Sequence, residues 1–151
     1  MNYLKLSLVL LLTSFAMVGC KSHKEAVVNA NAEFNVGEIW ILTQMQSKDI
    51  ERVKGQKKIY IEFNPEAGTF NGISACNRYF GNFKDLGKGK MELSSINATK
   101  MACSDPINKV ESNYMTLLRR CNGYNLGEYT LELTQNGKTL LTFEKAVEKE
   151  Q

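Results

Sequence analysis

The sequence has a single histidine in 151 residues, and this scarcity limits the chemistry that the chain can perform. That residue, His23, lies in a polar stretch, where one imidazole without fixed neighbours makes a poor metal ligand or general base. The four cysteines include no Cys-x-x-Cys pair, the spacing that zinc sites commonly use. We therefore predict no metal, no cofactor and no cysteine nucleophile activated by histidine.

An excess of charge of one sign is also missing. Nineteen basic and 16 acidic residues leave a net charge of +3, and the lysines are scattered along the chain. This balance argues against a nucleic-acid partner. The acidic residues are spread out as well, and no spacing between them would hold two carboxylates together as in a hydrolase.

The longest hydrophobic run lies at the N-terminus. Residues 6–18 are nearly all apolar and follow a start with one positive charge, a pattern typical of a secretory signal peptide and short for a transmembrane helix. The run ends in Met17-Val18-Gly19-Cys20, which resembles the lipobox of bacterial lipoproteins. We predict a signal peptide over residues 1–19 and lipid attachment at Cys20. The alternative is a soluble secreted protein cut near Gly19.

A lipid on Cys20 predicts that the protein is located in the bacterial cell envelope. We expect the chain to be anchored at the outer membrane, on its periplasmic side or its surface. Residues 20–36 are small, polar or charged and lack an apolar period, so they are predicted to form a flexible tether. The remaining length suits one domain, over residues 37–145, followed by a frayed tail over residues 146–151.

Short apolar runs bounded by turn residues predict strands in the domain. Ile39 to Leu42 is a β-branched and aromatic run that suits a buried strand. A polar connection is expected over residues 44–58, and after it Ile59, Ile61 and Phe63 alternate with Tyr60 and Glu62 and share one face. A final hairpin surrounds Asn136-Gly137, a type I′ turn signal. Other strands are predicted over residues 69–76, 77–83 and 90–93.

One helix is predicted over residues 106–120, with Asp105 as its N-cap and Asn122-Gly123 as a left-handed stop. Its apolar stripe consists of Ile107, Val110, Tyr114, Leu117, Leu118 and Cys121. Strands joined by short turns imply an antiparallel sheet, and the helix must cover one of its faces. The expected fold is α+β, a curved, half-barrel-like antiparallel sheet packed against one amphipathic helix.

Two spaced motifs carry a family resemblance. The first is Cys76-Asn77-Arg78-Tyr79-Phe80-Gly81, and the second, Thr99-x-Met101-x-Cys103, precedes a helix that contains Glu111. These motifs resemble the META domain family, which includes HslJ-like bacterial lipoproteins. The family often has glycine directly before the first cysteine; Ala75 stands there in this chain, so we expect a less extreme backbone. The resemblance implies an envelope setting, a link to stress tolerance and no accepted catalytic residues.

The resemblance also favours a disulfide. Cys76 and Cys103 both belong to the matched motifs, and an exported chain meets an oxidising environment. We expect a Cys76–Cys103 bridge and a buried, unreactive thiol at Cys121. Three free thiols and a metal site are the alternatives, and the lack of histidine in the domain argues against the metal site.

The segment after the first motif cysteine has two interpretations. Asn77, Arg78 and Tyr79 form a candidate recognition rim, since arginine and tyrosine often anchor interfaces. The structural interpretation, which we favour, places Asn77 in the hydrogen bonding of the turn and the aromatic rings in the core.

Three functions follow from these observations. The leading hypothesis is a non-catalytic envelope module that binds a protein or protects against stress, held to the membrane by the lipid on Cys20. The second is a carrier of a small apolar ligand within the curved sheet, lined by Tyr60, Phe70, Tyr79 and Phe83. The third is an enzyme that uses carboxylates brought together only by folding.

Overall fold

The computed structural model describes residues 33–146, which form nine strands and one helix. The predicted signal peptide, most of the tether and residues 147–151 of the tail lie outside this range. The strands are β1 (Ile39–Met45), β2 (Lys48–Asp49), β3 (Tyr60–Asn64), β4 (Thr69–Ile73), β5 (Arg78–Gly87), β6 (Lys90–Ala98), β7 (Gly123–Leu126), β8 (Thr130–Gln135) and β9 (Lys138–Lys145), and the helix is α1 (Asp105–Leu118).

All nine strands of the described range join one antiparallel sheet, in the order β2-β1-β3-β4-β5-β6-β7-β8-β9. Strand β9 also pairs with β1, so the sheet curves far enough to bring its last strand beside its second. The link between β6 and β7 is a single paired position, Lys90 with Gly123. The predicted class, α+β with a curved antiparallel sheet, is confirmed.

Alternation along the strands directs one row of side chains into the interior. In the segment that leads into and through β3, Ile59, Ile61 and Phe63 are buried, which confirms the predicted face. The expectation for Ile39 to Leu42 was wrong in part, because β1 alternates too. Its even positions, Trp40 and Leu42, are buried, whereas Ile39 is 40% exposed. Only the face of β1 that carries Trp40 and Leu42 lies against the core.

Helix α1 packs its apolar side into the core. Its buried residues are Ile107, Tyr114, Met115, Leu117 and Leu118, and Val110 is half-buried at the edge of the stripe. With 14 residues and a polar outer face, α1 falls short of a membrane-crossing helix, and no helix within residues 33–146 has the length and apolar character to cross a membrane.

Both predicted ends of the helix need correction. The N-cap is Ser104, with extended backbone, and Asp105 is already helical. Proline is accepted at either of the first helical positions, so Pro106 did not determine which residue precedes the helix. The helix ends at Leu118, and Gly123 is not a left-handed stop but the first residue of β7. A Cβ atom on Gly123 would lie 2.8 Å from the carbonyl oxygen of Gly89, so glycine is needed there for close backbone approach.

The packed domain also begins earlier than predicted. Phe34, assigned to the tether, is buried, with its ring centroid 4.5 Å from that of Phe63, 5.1 Å from that of Phe83 and 4.9 Å from that of Tyr124. A single aromatic residue in a polar stretch has no periodicity, so only the tertiary structure reveals its burial.

Candidate functional site

The first motif cysteine lies in a buried turn between β4 and β5, which we call the cysteine turn (residues 74–77). Ser74 closes it, because its backbone N–H and its hydroxyl both donate to the carbonyl oxygen of Asn77, at 2.9 and 3.0 Å. Lys57 reaches over the turn and donates from Nζ to the carbonyl oxygen of Cys76, at 3.2 Å. The four turn residues are buried, so the cysteine turn is part of the interior.

The backbone of Ala75 contradicts the expectation drawn from the family resemblance. Its φ is 105°, in the region that side-chain-bearing residues rarely adopt. The alanine therefore occupies a glycine-like conformation rather than a relaxed one. The hydrogen bonds on either side of it, which hold Ser74 to Asn77 and Lys57 N–H to the Ala75 carbonyl oxygen, keep the chain there.

Glu111 of helix α1 caps the cysteine turn from the other side. Its Oε2 accepts the backbone N–H of Cys76 at 3.1 Å and that of Asn77 at 2.9 Å, and its Oε1 accepts the side-chain amide of Asn77 at 2.6 Å. One carboxylate thus binds three donors, much as an anion binds in a backbone nest.

Asn77 extends this network to a third element. Its Oδ1 accepts the hydroxyl of Thr99 at 2.9 Å and the backbone N–H of Met101 at 2.7 Å. The carbonyl side of the amide therefore holds the second motif, while the amino side holds Glu111 on the helix. These five polar groups form the motif lock, defined by Cys76, Asn77, Thr99, Met101 and Glu111.

A disulfide between Cys76 and Cys103 runs alongside the motif lock. The two Cα atoms lie 6.6 Å apart, within the span that a disulfide bridges. The bond joins the cysteine turn to the segment just before α1, which is the pairing that the resemblance favours. The motif residues that the sequence singled out are thus brought together, and they fasten the helix to the sheet.

The electrostatics of Glu111 suit a structural carboxylate. Burial by itself would raise the pKa of Glu111, but the hydrogen bonds from Asn77 and Cys76 outweigh it and hold the pKa below its ordinary value. A carboxyl group that donates a proton at neutral pH needs a raised pKa, so this environment favours a permanently charged anchor.

Tyr79 is buried and takes part in a second internal network. Its hydroxyl donates to the carbonyl oxygen of Tyr60 at 2.9 Å and lies 2.6 Å from the hydroxyl of Tyr114 on α1. Because Tyr79 donates its hydroxyl proton to the carbonyl oxygen of Tyr60, the hydrogen bond between the two hydroxyl groups is donated by Tyr114. Burial raises the pKa of both Tyr79 and Tyr114, so the pair stays neutral.

Of the candidate recognition rim, only Arg78 is at the surface. Asn77 and Tyr79 are buried in the two networks, and the structural interpretation describes them correctly. The neighbouring Phe80, which the rim omitted, is 54% exposed. Strand alternation was the signal that could have found it, because adjacent aromatic residues at 79 and 80 must point to opposite faces.

Phe80 and Arg78 belong to a group of side chains on the outer face of β3, β4 and β5. The ladder places Asn71 opposite Phe80, and Ile73 opposite both Tyr60 and Arg78. A shallow cleft of about 260 Å³ lies among them. We call this surface the outer patch, defined by Tyr60, Asn71, Arg78 and Phe80.

The residues proposed to line an apolar cup lie elsewhere. Phe70, Tyr79 and Phe83 are buried, and the ring of Phe70 lies 6.1 Å from that of Tyr79. Together with α1 they fill the interior of the sheet, whereas Tyr60 is half-buried and belongs to the outer patch. The aromatic residues are therefore used as core.

The remaining thiol and the acidic groups add no reactive centre to the described part of the chain. Cys121 is buried, its Sγ lies 3.3 Å from the carbonyl oxygen of Leu117, and burial raises its pKa to about 12. Such a thiol is protonated and unreactive at neutral pH. Within residues 33–146, no three histidine, cysteine, aspartate or glutamate side chains are arranged to hold a metal ion.

Comparison with known proteins agrees with this architecture. The fold is similar to the NMR structure of a protein from Burkholderia xenovorans, with a TM-score of 0.59 and 21% identity over 83% of this chain and 97% of that one. A second NMR structure has a TM-score of 0.52 and 24% identity over 71% of this chain and 87% of the other. At these identities the likeness shows the fold alone, and no curated protein matches the chain. The model of the META domain matches residues 32–147, and the chain therefore belongs to the META domain family.

Proposed function

We propose that this META domain protein is a lipid-anchored component of the bacterial envelope, and that its domain is a non-catalytic module that binds a protein partner. The observation that carries the proposal is that the family motif residues hold the helix to the sheet. The motif lock occupies the side chains of Asn77, Thr99 and Glu111 with hydrogen bonds to one another and to the cysteine turn, and the disulfide occupies both motif cysteines. A stress-protective role, which the family resemblance implies, belongs to the same proposal.

The outer patch is the surface that we assign to the partner. Phe80 is a large exposed aromatic residue, Arg78 is exposed two positions away on the same face, and both line a cleft together with Tyr60. Aromatic and arginine side chains of this kind dominate binding energy in protein interfaces. The partner is expected to offer an apolar pocket to Phe80 and a carboxylate to Arg78.

Photo-crosslinking in intact cells tests this assignment. A benzophenone amino acid at position 80 should give one discrete crosslinked product, and the Arg78→Glu change in the same chain should remove it. The matched control carries the same amino acid at Tyr129, which is 60% exposed and lies at the start of the last hairpin. Identical products from both positions, or a product insensitive to Arg78→Glu, would show that the outer patch is not the binding surface.

The lipid anchor makes a separate prediction. Cys20→Ala should block lipidation and leave an uncut precursor, because cleavage and lipid attachment both require the cysteine that ends the lipobox-like run. Labelling cells with a radioactive fatty acid checks this, with Cys121→Ala as a control that keeps the label. Equal label on the wild type and the Cys20→Ala chain would contradict the proposal.

A further inference from the structure

A second and larger cleft lies where the β5–β6 turn meets β7 and the β8–β9 turn. Its volume is about 540 Å³. Side chains of two kinds dominate its lining, lysines from the β5–β6 turn and asparagines from the opposite wall: Lys88, Lys90, Asn122, Asn125 and Asn136. We call it the turn cleft.

The walls of the turn cleft are held together by hydrogen bonds. Asn122 and Asn136 are joined twice, since Nδ2 of Asn122 donates to Oδ1 of Asn136 at 2.8 Å and the N–H of Asn136 donates to Oδ1 of Asn122 at 2.9 Å. On the other side, the N–H of Tyr124 donates to the carbonyl oxygen of Gly89 at 2.7 Å. The cleft is therefore preformed rather than a gap between loose turns.

The two charged residues that line the turn cleft are both lysines. Lys88 and Lys90 are exposed, and Arg120 is held at the β8–β9 turn by two hydrogen bonds to Oε1 of Gln135, at 3.2 and 2.8 Å. The acidic groups next to the lining are Asp85, which accepts a hydrogen bond from the hydroxyl of Tyr124 at 2.9 Å, and Glu132, which accepts one from the side-chain amide of Asn125 at 2.9 Å. Lysines beside amide groups suit a phosphate-bearing ligand.

An exposed apolar side chain lies two positions before Lys88 in the chain. Leu86 is 51% exposed and precedes the turn that carries Lys88. A protruding leucine between lysines is the arrangement by which peripheral proteins enter the boundary between headgroups and acyl chains.

The same end of the domain receives the chain from the N-terminus. Phe34 packs against Tyr124, which lines the turn cleft, so the first residues that the structure describes lie beside the cleft. Twelve residues separate Cys20 from Glu33, and a fully extended chain of that length reaches at most about 45 Å. A lipid on Cys20 would keep this end within reach of the bilayer.

We propose that the turn cleft binds the headgroup of an anionic phospholipid in the membrane that holds the protein, with Leu86 entering the interface. This orientation rests on the proposed lipid anchor. It directs the cysteine turn, at the opposite end of the long β5–β6 hairpin, away from the membrane.

Fluorescence quenching on vesicles tests the orientation with the chain of residues 20–151. Cys20 is the thiol to couple to a maleimide phospholipid, because Cys76 and Cys103 are bonded and Cys121 is buried. In vesicles of phosphatidylethanolamine and phosphatidylglycerol with brominated acyl chains, Leu86→Trp should be quenched roughly twofold or more relative to the control. The control is Met101→Trp, at an exposed position beyond the far end of the hairpin, and the native Trp40 is buried in both chains.

Two further arms identify the ligand. Replacing phosphatidylglycerol with phosphatidylcholine, or introducing Lys88→Glu with Lys90→Glu, should each abolish the extra quenching at position 86. Inorganic phosphate in solution should leave it unchanged, since the bilayer supplies the ligand. Equal quenching at positions 86 and 101, or quenching that survives both lipid exchange and charge reversal, would overturn the proposal. Chemical coupling supplies the anchor here, so these results are independent of lipidation in cells.

Discussion

Replacing Cys76 and Cys103 together with alanine is expected to lower the free energy of unfolding by about 3–4 kcal/mol. The two cysteines are 27 positions apart, and the bond between them restricts the unfolded chain over that whole segment. In the chain-entropy account, loss of this restriction stabilises the unfolded state. The folded state also loses the covalent link between the cysteine turn and the segment just before α1.

Urea denaturation of the wild type and the double variant, each with and without a reductant, measures this effect. Reductant should bring the wild type close to the double variant and leave the variant itself unchanged. Cys121→Ala is the matched control, and its sensitivity to reductant should equal that of the wild type. Peptide mapping without reduction should yield a Cys76–Cys103 pair; a pair that contains Cys121, or three thiols that alkylate in the folded protein, would contradict the assignment.

The sequence predicted those features of the fold that depend on local patterns. Period-two alternation identified the buried face at Ile59, Ile61 and Phe63, and the helical stripe identified the core side of α1. Asn136-Gly137 was a sufficient signal for the last turn, where both residues have positive φ, at 51° and 81°. Each of these features is determined by neighbours within a few positions.

Features that depend on distant partners were not predicted. Strand β7 was missed because Gly123 follows a helix and resembles a stop, whereas its lack of a side chain serves the close approach of Gly89 from another hairpin. The burial of Phe34 depends on three rings from β3, β5 and β7. Neither strand β7 nor the burial of Phe34 produces a periodic pattern in the neighbouring sequence.

In the candidate site, too, local features were predicted and contacts between distant residues were not. The motif residues were identified by resemblance, and Asn77 was assigned to the hydrogen bonding of its turn. Its actual partner, Glu111, lies 34 positions away, and the sequence did not indicate that one carboxylate would accept three hydrogen bonds from the cysteine turn. Conversely, the exposure of Phe80 followed from alternation but was obscured by its aromatic neighbour.

Glu111→Gln is expected to lower the free energy of unfolding at neutral pH by about 2–3 kcal/mol, the value for losing a hydrogen bond to a charged group and leaving a buried donor unpaired. Glutamine has the same shape, and its oxygen can still accept the backbone N–H groups of Cys76 and Asn77. Its amide nitrogen then faces the amide nitrogen of Asn77, and two donors meet. Asn77 cannot rotate to relieve this, because its Oδ1 accepts hydrogen bonds from Thr99 and Met101.

The effect should depend on pH in a direction that follows from the lowered pKa of Glu111. Burial opposes the lowering and the hydrogen bonds from Asn77 and Cys76 cause it, so the carboxylate binds its proton less readily in the folded state than in the unfolded one. Such a group stabilises the fold above its ordinary pKa of 4.5, and this stabilisation is lost as the pH falls through the lower folded value.

The difference in stability between the wild type and Glu111→Gln should therefore be constant at neutral pH and shrink below pH 4.5. Urea denaturation across this range measures it. Glu66→Gln, the same chemical change at an exposed residue of the β3–β4 turn, is the control and should track the wild type. Parallel curves for the wild type and Glu111→Gln down to low pH would show that the charge of Glu111 does not hold the motif lock, since only an ionised carboxylate accepts from all three donors.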